Sequence, residues 1–124
     1  QDYDGFYKEE IQLRRLRGYP PFGDIFMLSA SGLEESVVLW ACLRLRDALS
    51  AALNAPEYSR IGYRLLGPAP AAVARVNDRY RYRLVLYARN QKELRELIAH
   101  LLRQAQKDKN NRGVSLFADV NPMD

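Results

Sequence analysis

The feature that most restricts the possible folds is a run of alternating side chains near the middle of the chain. Residues 79–89 have the sequence RYRYRLVLYAR, and successive side chains of a β-strand point to opposite faces of the sheet. A strand here places one set on the first face: Tyr80, Tyr82, Leu84, Leu86 and Ala88. The second face carries Arg79, Arg81, Arg83, Val85, Tyr87 and Arg89. The alternation predicts a long strand with one face on a core and one face rich in arginine.

Two other segments have the three-to-four spacing of apolar residues that is typical of helices packed on a core. The first predicted helix follows Ser31 and Glu34, which match a capping box, and it ends near Asn54. Its apolar positions are Val38, Cys42, Leu45, Leu49 and Ala52. The second predicted helix follows Asn90 and Glu93, which repeat the capping signal. Its apolar positions are Leu94, Leu97, Ile98, Leu101, Leu102 and Ala105.

The remaining elements complete a fold prediction. Further strands are expected at residues 24–31, 61–66, 72–76 and 114–120. A helix is expected at residues 4–17, followed by the stop Gly18 and a stiff lead-in through Pro20 and Pro21. The order of strand, helix, strand pair, helix and strand predicts an α+β domain, a ferredoxin-like split β-α-β sheet with the two main helices on one face. We therefore predict one domain over residues 1–124, with residues 1–23 as helix and lead-in and residues 24–124 as an α/β sandwich.

The charge of the chain is concentrated in one region. The net charge is +4 over 124 residues, whereas residues 60–89 hold seven arginines and one acid, Asp78, and so carry +6. Arginine grips phosphate with paired hydrogen bonds and stacks on flat rings, and single-stranded nucleic acid favours arginine near aromatic rings. The predicted DNA-binding residues are Arg64, Arg75, Arg79, Arg81, Arg83, Tyr87 and Arg89. Two alternatives stay open at this point: a solvated arginine face that prevents edge pairing, and a protein-docking surface.

The residue types needed for catalysis are scarce in this sequence. Cys42 is the single cysteine and His100 the single histidine, which excludes an internal disulfide and a multi-cysteine metal site. We expect Cys42 to be a core residue and His100 to lie on a helix surface. Trp40 is expected to be a core residue, with a docking ring as the alternative. No phosphate-binding loop occurs, so no ATP is expected in this fragment. A small ferredoxin-like phosphatase using an arginine and an asparagine is the enzymatic alternative.

The sequence contains several short and unusual motifs. The first are Phe6-Tyr7-Lys8-Glu9-Glu10, Arg14-Arg15 and Gly18-Tyr19-Pro20-Pro21-Phe22. The later motifs are Leu66-Gly67-Pro68-Ala69-Pro70-Ala71, then Arg75, Arg81 and Asp119-Val120-Asn121-Pro122. Together these motifs resemble one protein family, the C-terminal domain of primosomal protein N-prime, the PriA replication-restart DNA helicase. Asn121 departs from the family, which often has an acid there. The chain begins with Gln1 rather than Met, which favours a piece of a longer protein.

The resemblance implies a function that the residues alone do not supply. The full-length family member is an ATP-dependent 3′-to-5′ DNA helicase that acts at stalled forks and recruits the replicative helicase through loader proteins in the cytoplasm. ATP, Mg and Zn are expected only in upstream domains. The C-terminal domain is expected to contact branched or single-stranded DNA and other domains of the helicase. It is also expected to help hold the acidic, Phe-ending tail of single-stranded-DNA-binding protein. The residues proposed for this role are Gln91, Lys92 and Arg95, and the alternative for them is a capped, solvated helix start.

Overall fold

The described part of the chain folds into an antiparallel sheet covered on one face by two helices. The computed structural model describes residues 23–76 and 78–121, without the side chains of residues 72–76. Within that description the strands are β1 (Asp24–Gly32), β2 (Tyr63–Val76), β3 (Arg79–Ala88) and β4 (Ser115–Val120). The helices are α1 (Glu35–Leu53) and α2 (Lys92–Lys107), and 3-10 turns lie at Pro56–Tyr58 and Lys109–Asn111. The helix and lead-in predicted within residues 1–23 fall almost wholly outside the described residues.

The strand order confirms the predicted fold class. The sheet runs β2-β3-β1-β4, and every neighbouring pair is antiparallel. Each helix connects two strands that do not pair with each other, α1 between β1 and β2 and α2 between β3 and β4. This is the split β-α-β arrangement expected from the order of elements.

The even-numbered side chains of β3 lie on the helix side of the sheet, as the alternation predicted. Leu84, Leu86 and Ala88 are buried in the main core, and Tyr80 and Tyr82 pack against its edge. The core also includes the predicted helix positions from Val38 to Leu49 and from Leu94 to Leu101. Each fully buried aliphatic side chain contributes about 1.5–3 kcal/mol relative to an exposed one. The two amphipathic stripes and one face of the sheet therefore account for the helix-covered core.

The predicted pair of strands at residues 61–66 and 72–76 is instead one strand, β2. Its pairing with β3 shifts register between Leu66 and Ala69 and again between Pro70 and Arg75. Gly67 has φ 103°, a left-handed conformation that glycine adopts without strain. The strand therefore bulges at the Gly-Pro motif and continues, where a strand end was predicted.

Both predicted capping boxes are wrong. Strand β1 extends to Gly32, so Ser31 lies in the sheet and its hydroxyl accepts a hydrogen bond from Arg79 Nε at 2.9 Å. The residues preceding the helices are Glu34 and Gln91, and neither makes a side-chain capping hydrogen bond. Asn90 Oδ1 instead accepts a hydrogen bond from Arg95 Nη1 at 2.7 Å. The observed N-cap positions therefore lie three residues after Ser31 and one residue after Asn90.

Asn121, which stands where the family often has an acid, has a structural role. Its backbone has φ 49°, which asparagine tolerates better than most residues. Its Oδ1 accepts a hydrogen bond from the Ile25 amide, and its Nδ2 donates to Asp24 Oδ1, each at 2.9 Å. A carboxylate could accept the first bond but could not donate the second. Asparagine therefore fits beside Asp24, where an ionised acid would meet a second carboxylate.

Candidate nucleic-acid interface

Three arginines of β3 lie on the sheet face that points away from the helices. Arg79, Arg81 and Arg83 alternate with the core-facing Tyr80 and Tyr82. Side chains at i and i+2 of a strand are separated by about 6.6 Å. We call the surface formed by these three arginines, the serines of β1 and the neighbouring β4 residues the open face. The residues opposite the arginines on β1 are Ser29 for Arg83 and Ser31 for Arg81.

The three arginines differ in how they are held. The Arg79 guanidinium donates from Nε to Ser31 Oγ at 2.9 Å and from Nη2 to the Ser31 carbonyl at 3.0 Å. Its Nη2 also lies 3.5 Å from Ser115 Oγ, so the side chain crosses β1 and reaches β4. Arg83 Nη1 lies 3.2 Å from Met27 Sδ. These contacts hold the guanidinium groups in place. Among residues 23–76 and 78–121, no carboxylate forms an ion pair with Arg79, so its positive charge is not neutralised there.

Arg81 is the arginine best placed to act on a ligand. It is partly exposed and stands between Arg79 and Arg83 on the same face. Within residues 23–76 and 78–121, no hydrogen bond or ion pair is found for its guanidinium, in contrast to its two neighbours. Among the described residues, the Arg81 guanidinium is therefore not engaged in internal contacts and can bind a ligand.

The prediction that the Tyr87 ring is exposed on this face is wrong. Tyr87 lies on the predicted face, but its exposure is 0%, and it forms a second buried cluster with Ile25, Met27 and Val85. Exposure along β3 falls from its first half to its second half, where every residue is buried. A fully buried ring has no free surface on which a base could stack, so Tyr87 is a core residue.

A different aromatic ring, Phe117, lies on the open face and was missed at the sequence level. Phe117 of β4 is 37% exposed and pairs across the sheet with Ser29. Its neighbours Leu116 and Ala118 pack against the main core, which directs Phe117 to the other face. The alternation in residues 114–120 carried this signal, but exposure could not be judged without knowing that β4 lies at the edge of the sheet.

The other predicted DNA-binding residues do not gather with the open-face arginines. Arg64 is exposed on β2 opposite Tyr87, towards the far end of the sheet. The Arg75 side chain lies outside the described residues. Arg89 lies in a groove of about 440 Å³, which is lined by Glu57, Arg60, Ile61, Gly62, Arg89, Gln91 and Glu93. The structure thus separates Arg89 from Arg79 by the length of β3.

The residues predicted to hold an acidic tail surround the start of α2. Gln91 lines the groove that contains Arg89, whereas Lys92 and Arg95 are exposed and do not line it. The Arg95 guanidinium is held by Asn90. Two arginines and two glutamates line the groove, so its formal charges cancel. Gln91 and Arg89 form a polar groove, with Lys92 and Arg95 on the adjacent helix surface.

The remaining chemically distinctive residues are distributed over the helix side. Cys42 is buried as expected, and burial raises the pKa of its thiol to about 12, which makes it a poor nucleophile. Tyr82 donates to Glu35 Oε2 at 2.7 Å, and burial followed by this carboxylate raises the pKa of Tyr82 to about 12. His100 lies on the helix surface as expected. Trp40 is 59% exposed, and the prediction that it is a core residue is wrong because it lies off the buried stripe of α1.

Two further searches of the described part of the chain gave negative findings. None of its helices is both long and apolar enough to span a bilayer. Within the same residues, no group of three or more histidine, cysteine, aspartate or glutamate side chains could hold a metal ion. The side chains that the described part brings together on the open face are arginine, serine, phenylalanine and aspartate.

Comparisons with known proteins agree with this architecture and identify the family. The fold resembles the de novo designed protein Foldit4, with a TM-score of 0.51, 12% identity and coverage of 82% of this chain and 98% of that chain. The sequence is 27% identical over 121 residues to replication restart protein PriA of Bacillus subtilis, covering 98% of this chain and 14% of the relative. It is 35% identical over 113 residues to probable replication restart protein PriA of Deinococcus radiodurans, covering 91% of this chain and 11% of the relative. The chain thus spans less than one sixth of either relative's length. Residues 15–123 match the family model of the primosomal protein N C-terminal domain, and the chain therefore belongs to the PriA C-terminal domain family.

Proposed function

We propose that this domain is a noncatalytic DNA-binding and protein-docking module of a longer replication-restart helicase. In this proposal the parent is an ATP-dependent 3′-to-5′ DNA helicase that acts in the cytoplasm during primosome assembly at stalled forks. Its ATP, Mg and Zn sites belong to regions other than this domain. Branched or single-stranded DNA, the other helicase domains and primosome loader proteins are its partners. Membership of the PriA family and the replication restart function of the named relatives support this assignment.

The single observation that carries DNA binding is the row of Arg79, Arg81 and Arg83 on the open face. The serine contacts of Arg79 fix the position of its charge, and Arg81 adds a second, uncommitted charge beside it. Guanidinium groups bind phosphate by charge-assisted hydrogen bonds. The described residues of this face present no element that would enter a duplex groove and read base edges, so the proposed binding is weakly sequence-specific.

Arg81→Ala is expected to lower the salt dependence of binding. Removal of one phosphate contact reduces the slope of log association constant against log salt by about 0.7 for single-stranded DNA. The measurement is a fluorescence-anisotropy titration of the domain with a labelled thymidine oligonucleotide at several salt concentrations. Arg103→Ala is the control, because Arg103 is an exposed arginine that lies on α2 and not on the open face. An Arg81→Ala slope equal to wild type, with Arg103→Ala reducing it instead, would move the DNA site to the helix side.

The groove beside α2 supports a second candidate function, docking of an acidic protein tail. The observation in its favour is that Gln91 joins Arg60 and Arg89 in a groove large enough for a peptide terminus. Lys92 and Arg95 add positive charge on the exposed helix surface next to it. In this alternative the domain docks the tail of single-stranded-DNA-binding protein and the motor lobes without touching DNA.

An acidic peptide that ends in phenylalanine tests this second candidate. Arg89→Glu is expected to weaken peptide binding by about 10-fold or more, because it replaces an attractive charge by a repulsive one inside the groove. The double change Lys92→Glu and Arg95→Glu tests the adjacent helix surface in the same calorimetric titration. Unchanged peptide affinity in both variants would exclude the groove and the start of α2 as the tail site.

A further inference from the structure

Phe117 is an exposed aromatic ring on the same surface as the open-face arginines. Its cross-strand partner is Ser29, and Ser29 in turn pairs with Arg83, so the three residues form one row across β4, β1 and β3. The adjacent row contains Ser115, Ser31 and Arg81. Neighbouring strands are about 4.8 Å apart, so the backbones of Phe117 and Arg83 are separated by about 10 Å.

Small side chains separate the ring from the arginines. Ser29 and Ser31 of β1 are small and buried, with 9% and 8% exposure. The Arg79 side chain crosses Ser31, to which it donates hydrogen bonds, and places Nη2 3.5 Å from Ser115 Oγ. Ser115 and Phe117 are two residues apart on β4 and project to the same face, with an i to i+2 separation of about 6.6 Å. The Arg79 guanidinium therefore reaches the β4 residue two positions before the partly exposed Phe117.

Phe117 lies between positive charges on one side and a negative charge on the other. Arg79 and Arg81 lie towards the Ser115 end of β4, and Asp119 lies on the other side of Phe117 and is exposed. A phosphate backbone is attracted to the first end and repelled by the carboxylate at the second. The ring is thus at the boundary of the positive surface, where a base can stack while its phosphate contacts a guanidinium.

We infer that Phe117 stacks on a base of a single DNA strand whose phosphates contact Arg79 and Arg81. The inference rests on the proposed function, because it needs DNA on the open face. Stacking on an aromatic ring accepts every base, since every base has a flat face. It gives the domain a contact that single strands with unstacked bases make and an intact duplex does not.

The test compares a thymidine oligonucleotide with an abasic oligonucleotide of equal length. Phe117→Ala is expected to weaken binding of the thymidine strand by about 5-fold to 150-fold, the range of one stacked base. It is expected to leave binding of the abasic strand unchanged, because that strand has no base to stack. Phe117→Tyr retains the ring and is expected to bind like wild type. Trp40→Ala removes an exposed ring from α1 and serves as the matched control.

The outcomes separate the inference from the proposed function. Equal loss of affinity for both oligonucleotides in Phe117→Ala would assign the ring a structural role, and no loss for either would exclude stacking. Phe117→Leu keeps an apolar side chain and should show the same selective loss as the alanine variant. If Arg81→Ala weakens both strands while Phe117→Ala weakens neither, only the stacking inference fails. If wild type binds neither strand, the proposed function fails with it.

Discussion

Gly67→Ala is expected to lower the free energy of unfolding by about 2–5 kcal/mol, the sum of a left-handed backbone penalty and the cost of overpacking. Gly67 has φ 103°, and a Cβ atom built there would lie 2.7 Å from the Arg83 carbonyl oxygen. That oxygen belongs to the backbone of the central strand β3, which cannot move without disturbing the sheet. The glycine of the Gly-Pro motif is therefore needed because two backbones approach closely at the bulge in β2.

Alanine variants of two other glycines separate the left-handed backbone penalty from the cost of overpacking. Gly113 has φ +83° but nothing within 4 Å of a built Cβ, so Gly113→Ala should lose only about 1–2 kcal/mol from the backbone penalty. Gly23 also has free space around its Cβ position and no left-handed φ, so Gly23→Ala should be close to wild type. Urea unfolding monitored by circular dichroism gives all three values. Equal stability of the Gly67 and Gly113 variants would show that the close contact with the Arg83 carbonyl does not add to the loss in free energy of unfolding.

Tyr87→Ala is expected to lower the free energy of unfolding by about 3–5 kcal/mol, the usual cost of truncating a fully buried aromatic side chain. The ring is completely buried with Ile25, Met27 and Val85, on the sheet face opposite the helices. The loss reflects both the apolar surface returned to water and the cavity left behind. This places Tyr87 among the residues that build the sheet rather than those that contact a ligand.

The matched comparison for Tyr87 is Phe117, an aromatic residue on the same face with 37% exposure. Phe117→Ala should cost less than half as much stability, because the ring already contacts solvent. Chemical denaturation of both variants and of Tyr87→Phe, which keeps the ring, measures the difference. A Tyr87→Ala domain as stable as wild type but weakened in DNA binding would restore Tyr87 as a ligand contact.

The sequence was sufficient to predict the fold class because its periodicities are strong. The period-two pattern of residues 79–89 and the three-to-four spacing from Leu94 to Leu101 each bury one side of their element. Each side is apolar enough to require a partner, and the order of elements leaves few topologies. The resemblance in short motifs then identified the family that residues 15–123 match.

The burial of individual side chains and the course of β2 could not be predicted from the sequence, because both depend on contacts between elements. Alternation assigned Tyr87 to the correct face of β3, but it could not tell that this half of the face is buried whereas Phe117 at the sheet edge is exposed. Glycine and proline at residues 67–70 usually end a strand, and only the fit of Gly67 against β3 shows that this one bulges and continues. Trp40 is large and apolar, but its place around the helix leaves it outside the buried stripe.

The candidate site was predicted only in part, because some of its residues are brought together by contacts between elements. Arg79, Arg81 and Arg83 share one face because they share one strand, and this needed only the period of a strand. Arg89 follows the end of β3 and instead lines the same groove as Arg60, which is distant from it in sequence. Long-range pairing of this kind has no signature in a single sequence without related sequences to compare.

The central claim is that single-stranded DNA binds the open face between β3 and β4. The most direct measurement is the change in backbone amide chemical shifts when an unlabelled thymidine oligonucleotide is titrated into the isotopically labelled domain. Binding at the open face predicts the largest changes at Arg79, Arg81, Ser115 and Phe117, with little change along α1. Changes centred on Gln91, Lys92 and Arg95, or no changes at saturating oligonucleotide, would contradict it.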